Sequence, residues 1–259
     1  MLRARSRHRA WHPAPGGHLI AEGDRFGVEV LIPTHRIVFA LGPEGLVELR
    51  GPSTAATFDA YRKMPDTVPG MIAWPNTVLL TGPATVVVDP GYQTQGDMLE
   101  GALRARGIEP DDVRTVLATH LHSDHVGALP QLGEAELVVH EAELPTEHGV
   151  RLRGARDKVS LRTLSGASGE VMPGVEWIHT PGHTPGHVSY LVDGEQGRVA
   201  IAGDTLGPDP RWFERMELPE GFPERDAHLA AFRAVREAAP DVVIPGHNPP
   251  VRLTPHAAG

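Results

Sequence analysis

The sequence predicts an α/β fold in which short apolar strands end in polar turns rich in histidine and aspartate. Three observations point there. An apolar run at 113–118 leads directly into His120-Leu-His122-Ser-Asp124-His125. A strand pattern at 84–88 and an amphipathic stretch at 96–106 precede that run, and strand, helix, strand in succession implies helices layered on a sheet. The second half repeats the arrangement, with apolar runs at 175–178, 198–202 and 242–244 leading to His183, Asp204 and His247.

The 259 residues are 40% hydrophobic, enough for a substantial core. No apolar run approaches the ~20 residues that span a bilayer. A net charge of −9 argues against nucleic acid as the main partner, because phosphate binding requires clustered Lys and Arg. The chain has no Cys, which excludes disulfides, a thiol nucleophile and zinc–thiolate sites. Gly and Pro together make about a fifth of the residues, a loop-rich composition still short of disorder.

Residues 1–24 are expected to form a flexible tail. The opening Met1-Leu-Arg-Ala-Arg-Ser-Arg-His-Arg9 is basic and lacks the apolar core of a secretory signal. Trp11-His-Pro-Ala-Pro-Gly-Gly17 then breaks any helix. Residues 25–259 are expected to form one domain, with 25–75 an extension packed on it. In the extension 28–32, 36–41 and 46–49 read as strands, and 52–75 as loop with a short helix near 56–62. Adding edge strands, covering the active site and forming a subunit contact are all open to it.

From residue 76 the pattern sharpens. Residues 77–80 and 84–88 read as a strand pair joined by Thr81-Gly-Pro83. Leu99 and Leu103 lie one helical turn apart, with Gly107 as the stop. Residues 137–140 form a further strand, and His140 is expected to be structural. The stretch 144–165 reads as irregular, carrying Arg151, Arg153, Arg156, Lys158 and Arg162 against few acids. It makes either a solvated face or a positive rim that attracts an anionic substrate. Residues 188–192 read as a strand, and 224–239 as a helix with Leu229, Phe232 and Val235 on one stripe and Pro240 at its end.

Imidazole and carboxylate together suit zinc, and also iron or manganese. In an extended or turning segment His120 and His122 point the same way, while Asp124 and His125 swing round the following turn. Four ligands this crowded do not all reach one ion, which favours two adjacent metals. A strand-to-loop junction is also where functional groups are commonly displayed.

The pattern His120-x-His122-x-Asp124-His125 resembles the signature of the metallo-β-lactamase superfamily. Thr180-Pro-Gly-His183-Thr-Pro-Gly-His187, Ala202-Gly-Asp204-Thr-Leu206 and Ile244-Pro-Gly-His247 fall where that family's remaining ligands belong. The similarity covers about residues 76–250. It implies a four-layer αβ/βα sandwich with metals in a cleft along one edge. Carried over by motif, it implies His120, His122 and His183 on one metal, Asp124, His125 and His247 on the second, and Asp204 bridging both. Asp89 falls where the family places a carboxylate that supports the metal loop. His187 is implied as a buried support, and His179 is a weaker ligand candidate. The implied cofactors are two zinc ions, with iron or manganese as alternatives. Such a pair generates a bridging hydroxide, and Asp124 is the expected catalytic residue, holding the nucleophile and passing a proton to the leaving group.

The run from Pro181 to Tyr190 and Gly203-Asp-Thr-Leu206 are similar to glyoxalase II-like thioesterases and to lactonases. The expected reaction is therefore cleavage of a carboxylic ester, thioester or lactone. Two departures stand out. The chain ends soon after His247, without the helical domain of glyoxalase II, and Gly207 stands where quorum-quenching lactonases place a tyrosine. Trp212, Phe213 and Met216 either cap the core or line the cleft. Two alternatives share the pattern: a mononuclear-iron persulfide dioxygenase, and a phosphodiesterase or ribonuclease whose Pro-Gly-His-x-Pro-Pro run resembles Pro245-Gly-His-Asn-Pro-Pro250. The expected partner is a small-molecule substrate, anionic if the basic stretch forms its entrance. A homodimer stays open; neither nucleic acid nor membrane is expected, and the expected location is the cytoplasm.

Overall fold

The computed structural model describes residues 25–43, 45–49, 68–155, 160–207 and 209–253. The first half holds β1 (Gly27–Ile32), β2 (His35–Gly42), β3 (Gly45–Leu49), β4 (Val68–Trp74), β5 (Thr77–Thr81) and β6 (Val86–Val88). It continues through α1 (Gly96–Arg104), β7 (Thr115–Leu117), the single turn α2 (Ser123–Val126), β8 (Glu136–His140), α3 (Glu147–Ala155) and β9 (Leu161–Leu164). The second half holds β10 (Ser168–Met172), β11 (Val175–His179), β12 (Val188–Gly194) and β13 (Gly197–Gly203). Then come α4 (Pro210–Arg215), α5 (Arg225–Glu237), β14 (Val242–Pro245) and β15 (Val251–Arg252).

Among the described residues the strands form two six-stranded sheets, ordered β1-β5-β6-β7-β8-β9 and β10-β11-β12-β13-β14-β15, and a small sheet ordered β3-β2-β4. Both large sheets are mixed: β6 through β9 run parallel, as do β13 and β14, and their other pairings are antiparallel. The parallel strands β6 and β7 are apolar on both faces apart from Thr115, as expected of strands covered on both sides.

Because strand side chains alternate between faces, each sheet serves two cores. Val78, Leu80, Val86, Val88, Leu117 and Val138 face Val175, Trp177, Tyr190, Val192, Ile201 and Ile244 between the sheets. The alternate residues Leu79, Val87, Val116 and Leu137 pack on Leu99 and Leu103 of α1. On the far side Leu191, Ala200 and Val243 pack on Leu229, Phe232 and Val235 of α5. Helix, sheet, sheet, helix is the four-layer sandwich that the motifs implied. The amphipathic faces of α1 and α5 are what make the outer layers. In α1, Asp97 in the first turn and Arg104 in the last complement the helix dipole.

Parallel strands present their carboxyl ends along one edge, where open α/β sheets place their sites. Here β6 and β7 end toward Asp89 and His120, while β13 and β14 end side by side, with Gly203 opposite Pro245 in register. The β11–β12 connection, residues 180–187, opens at the same end, because Val188 of β12 neighbours the close of β13.

Two expectations need correction. Residues 52–75 are not loop throughout: Val68–Trp74 is a strand paired with β2, despite Pro69 and Gly70. It lies at the edge of its sheet, where proline is tolerated. The helix expected near 56–62 falls outside the described residues. Residues 144–165 are not irregular, since α3 and β9 occupy much of them. Strands β10 and β15 and helix α4 were not expected at all. The extension in fact contributes β1, an edge strand beside β5.

Phe232 is fully buried and meets the ring of Phe213 edge-on at 5.6 Å. Phe232→Ala is expected to lower unfolding free energy by about 3–5 kcal/mol in urea titrations. A loss under 1 kcal/mol would mean that α5 is not packed as described.

Candidate metal centre

Short turns at strand ends supply every side chain of the cluster. His120 follows β7; His122 is the N-cap of α2, and Asp124 and His125 lie within its single turn. Asp204 begins a 3-10 turn after β13, and His247 follows β14. His183 lies in the loop between β11 and β12.

The structure brings all seven sequence-predicted residues together. His183 Nε2 lies 3.0 Å from His122 Nδ1, and His247 Nε2 lies 3.1 Å from Asp124 Oδ2. Asp204 stands between the two groups. Its Oδ2 is 3.3 Å from His183 Nε2 and 3.6 Å from His247 Nε2, and its Oδ1 is 3.5 Å from His125 Nε2. Three sets of donor atoms lie mutually within 4.8 Å: His120, His122 and His183; Asp124, His125 and His247; and His120, His125 and Asp204. Two ligands ~2.0–2.1 Å from one tetrahedral ion stand roughly 3.3 Å apart, so these separations suit shared cations.

Two further observations test that fit. His120 Nε2 is buried with no hydrogen-bond partner, and His125 Nε2 and Asp204 Oδ1, also buried, are joined only by a long contact of 3.5 Å, a costly state unless a cation satisfies them. The electrostatics agree. Burial holds the His120 pKa well below the ordinary value, and burial likewise lowers His183 to about 4, so both imidazoles are neutral with lone pairs to donate. Burial also opposes charge on His125, but the carboxylates of Asp89 and Asp204 outweigh it and raise that pKa well above normal. Burial works to raise the Asp204 pKa, yet the facing imidazoles hold it far below the usual carboxylate range. The pocket is built for added positive charge.

Buried polar groups fix the orientation of this cluster. Asp89 Oδ2 accepts from His125 Nδ1 at 2.8 Å and from Thr119 Oγ1 at 2.7 Å, while Oδ1 accepts from Thr119 N at 2.8 Å. These three hydrogen bonds satisfy both oxygens of the buried carboxylate, which fixes its position behind His125. It holds the proton on Nδ1 and leaves Nε2 facing the cluster. His187 is likewise a support: Thr180 and Thr205 hydroxyls flank its Nδ1, and its Nε2 accepts from Asp204 N at 3.1 Å.

Glycine is required at two close approaches. A Cβ on Gly246 would lie 2.1 Å from Asp204 Oδ1. One on Gly203, whose φ is +47°, would meet Thr119 Oγ1 at 2.6 Å and His187 Nε2 at 2.7 Å.

Other candidates lie apart from the cluster. His179 bonds the Pro185 carbonyl at 2.9 Å and stacks on His140 at 4.3 Å. His140 bonds the Gly166 carbonyl, as a structural histidine does. Phe213 is fully buried in the core, and half-buried Trp212 packs against Phe222 at 5.3 Å. Within the basic stretch Arg151 pairs with Glu147 and Arg162 with Glu136, which favours the solvated face over the positive rim. Arg156 and Lys158 lie outside the described residues.

Sequence reasoning missed several neighbours. Asn76 Nδ2 donates to the Pro245 and Asn248 carbonyls, and its Oδ1 accepts from Thr34 N, tying the extension to the His247 loop. Thr119 and Glu143 brace the turn around His120. The ring of His148 stands 4.6 Å from that of His122. Polar residues of this kind carry no local periodicity, and only Thr119, adjoining His120, could have been suspected.

A family profile described as the metallo-beta-lactamase superfamily matches residues 75–247. The chain belongs to that superfamily. Metallo-beta-lactamase domain-containing protein 1 of Xenopus laevis is 35% identical over 185 residues, covering 70% of this chain and 73% of its own length. Its human counterpart is 32% identical over 93% of this chain and 87% of its own. An N-acyl homoserine lactonase of a Bacillus species is 33% identical over 56% of this chain and 58% of its own length. Among solved structures, a candidate metallo-beta-lactamase of Thermotoga maritima superposes with a TM-score of 0.63 over 88% of this chain and 100% of its own, at 20% identity. A quorum-quenching N-acyl homoserine lactone lactonase superposes at 0.54 over 66% of this chain and 77% of its own, at 25% identity. The chain is thus a member of a metallo-hydrolase superfamily with lactonase relatives, and its His and Asp clusters could hold metal. Among the described residues, no helix is long and apolar enough to cross a membrane.

Asp89→Asn keeps a residue type that tolerates the positive φ of 50° at this position. It removes the negative charge behind His125. Zinc affinity is expected to fall about 10–100-fold in chelator competition; unchanged affinity would deny Asp89 its orienting role.

Proposed function

We propose that this protein is a metal-dependent hydrolase that cleaves a carboxylic ester, thioester or lactone at a pair of divalent cations, zinc foremost, with iron or manganese as alternatives. In this reading His120, His122 and His183 hold one cation, Asp124, His125 and His247 the other, and Asp204 joins them. The observation that carries it is the carboxylate of Asp204, which faces both ligand groups at 3.3–3.6 Å. Lactonases among the relatives of sequence and structure support the carboxyl-type substrate.

A bound cation pair would supply Lewis acidity and lower the pKa of water toward neutrality. The chain's own residues supply the rest. His120 and His125 form the closed back of the cluster, both fully buried. Asp124, His183 and His247 keep 18%, 30% and 16% of their side chains exposed, so substrate enters over them. Asp124 is the acid group on that open side, placed to hold the attacking water, take its proton and return it to the leaving group. Asp89, His187 and Asn76 keep the donors aimed, which lowers the reorganisation needed as charge develops. Residues 25–259 act here as one domain, because β1 completes a sheet and Asn76 links Thr34 to the His247 loop.

Purified protein should be assayed on acyl homoserine lactones, thioesters, aryl esters and bis-p-nitrophenyl phosphate, with and without chelator. Turnover of a carboxyl substrate, lost with chelator and restored by zinc, is expected, and Asp124→Asn should lower kcat about 10²–10⁴-fold. Turnover of the phosphodiester alone would transfer the chain to the phosphodiesterase reading. No metal-dependent turnover of any carboxyl substrate would end this one.

A further inference from the structure

Glu143 is a carboxylate that the mechanism above does not use, and it is only 1% exposed. It ends the 3-10 turn Glu141–Glu143 that follows β8. Its two oxygens are divided between two loops. Oε2 accepts from the backbone N–H of Leu121 at 3.0 Å, and Oε1 accepts from the backbone N–H of Gly186 at 2.8 Å. Leu121 lies between His120 and His122, and Gly186 lies between His183 and His187. One carboxylate therefore fastens together the two segments that supply His120, His122 and His183.

The residue is itself held in place. Its carbonyl accepts from Thr146 N at 3.1 Å and from Thr146 Oγ1 at 2.6 Å, which seats it against the start of α3. The approach to the second loop is close enough to require glycine: a Cβ on Gly186 would lie 2.5 Å from Glu143 N and 2.8 Å from its Cγ. Among the described residues no Lys or Arg pairs with this carboxylate, so backbone N–H groups alone offset its desolvation. A buried charge so compensated is weak evidence for stability. Its position accounts for it better, because the loops it joins meet where His183 Nε2 and His122 Nδ1 stand 3.0 Å apart.

We propose that Glu143 is a positioning residue for the His120, His122 and His183 donor set, fixing the distance between its two loops before any cation arrives. Asp89 braces His125 and, through Thr119, the approach to His120, and Asn76 braces the His247 loop; neither reaches the His183 loop, so the effect of Glu143 falls mainly on the set that needs His183. This inference rests on the two-cation reading.

The test is zinc titration by chelator competition, with Glu143→Gln introduced into two backgrounds. His247→Ala leaves the first donor set whole, and His183→Ala leaves the second. Gln preserves the shape of Glu143 but turns an amide NH₂ toward one of the two N–H groups. In the His247→Ala background zinc affinity should fall about 10–100-fold, while in the His183→Ala background it should change less than threefold. An equal loss in both backgrounds would mean a merely structural role, and no loss in either would deny the role entirely; both overturn the inference. If Glu143→Gln fails to fold by far-UV circular dichroism, Glu143→Asp, which keeps the charge but reaches only one loop, must show the same selective loss or the inference falls. Wild-type protein that takes up fewer than two zinc equivalents would instead refute the two-cation reading beneath it.

Discussion

The burial of crowded histidine and aspartate side chains around one point governs the rest of this structure. Imidazole and carboxylate atoms that would each prefer water are packed at 3.0–3.7 Å, and His120 and His125 are fully buried. The carboxylates of Asp89 and Asp204 raise the His125 pKa well above normal despite its burial, so this point of the cluster favours positive charge.

The fold holds these side chains together at several levels. Two sheets share an apolar interior, and the parallel strands deliver their loops to a common edge. Tyr190 ties the sheets through a hydrogen bond from its hydroxyl to the Ala118 carbonyl at 2.9 Å, two residues before His120. Glycine at 203 and 246 lets Asp204 come within reach of both donor sets. Asp89, Glu143, His187 and Asn76 then hold the loops from behind, each through backbone or imidazole groups. Rigidity of this kind suits a hydrolytic centre, because donors already in place need little rearrangement as charge develops on the substrate.

What could be read from the sequence follows from how far each signal reaches along the chain. The residues of the cluster were legible because strand ends and residue spacing are local, as in His120-x-His122-x-Asp124-His125. The helices at α1 and α5 were legible from Leu99 and Leu103, and from Leu229, Phe232 and Val235. The missed elements lack such patterns. Pro69 and Gly70 disguise β4 as a turn, and α3 shows charge in place of an apolar stripe. Strand β10 buries only Val171 of its five residues, and β15 is two residues long. Glu143 and Asn76 were illegible for another reason. Their roles depend on loops 43 and 169 positions away, respectively, and no window along the chain brings those together.

Anomalous X-ray scattering from crystals grown with zinc, collected either side of the zinc absorption edge, tests the central claim most directly. Two peaks are expected, one among His120, His122 and His183 and one among Asp124, His125 and His247, with the Asp204 carboxylate between them. A single peak, or zinc bound only away from these side chains, would contradict it.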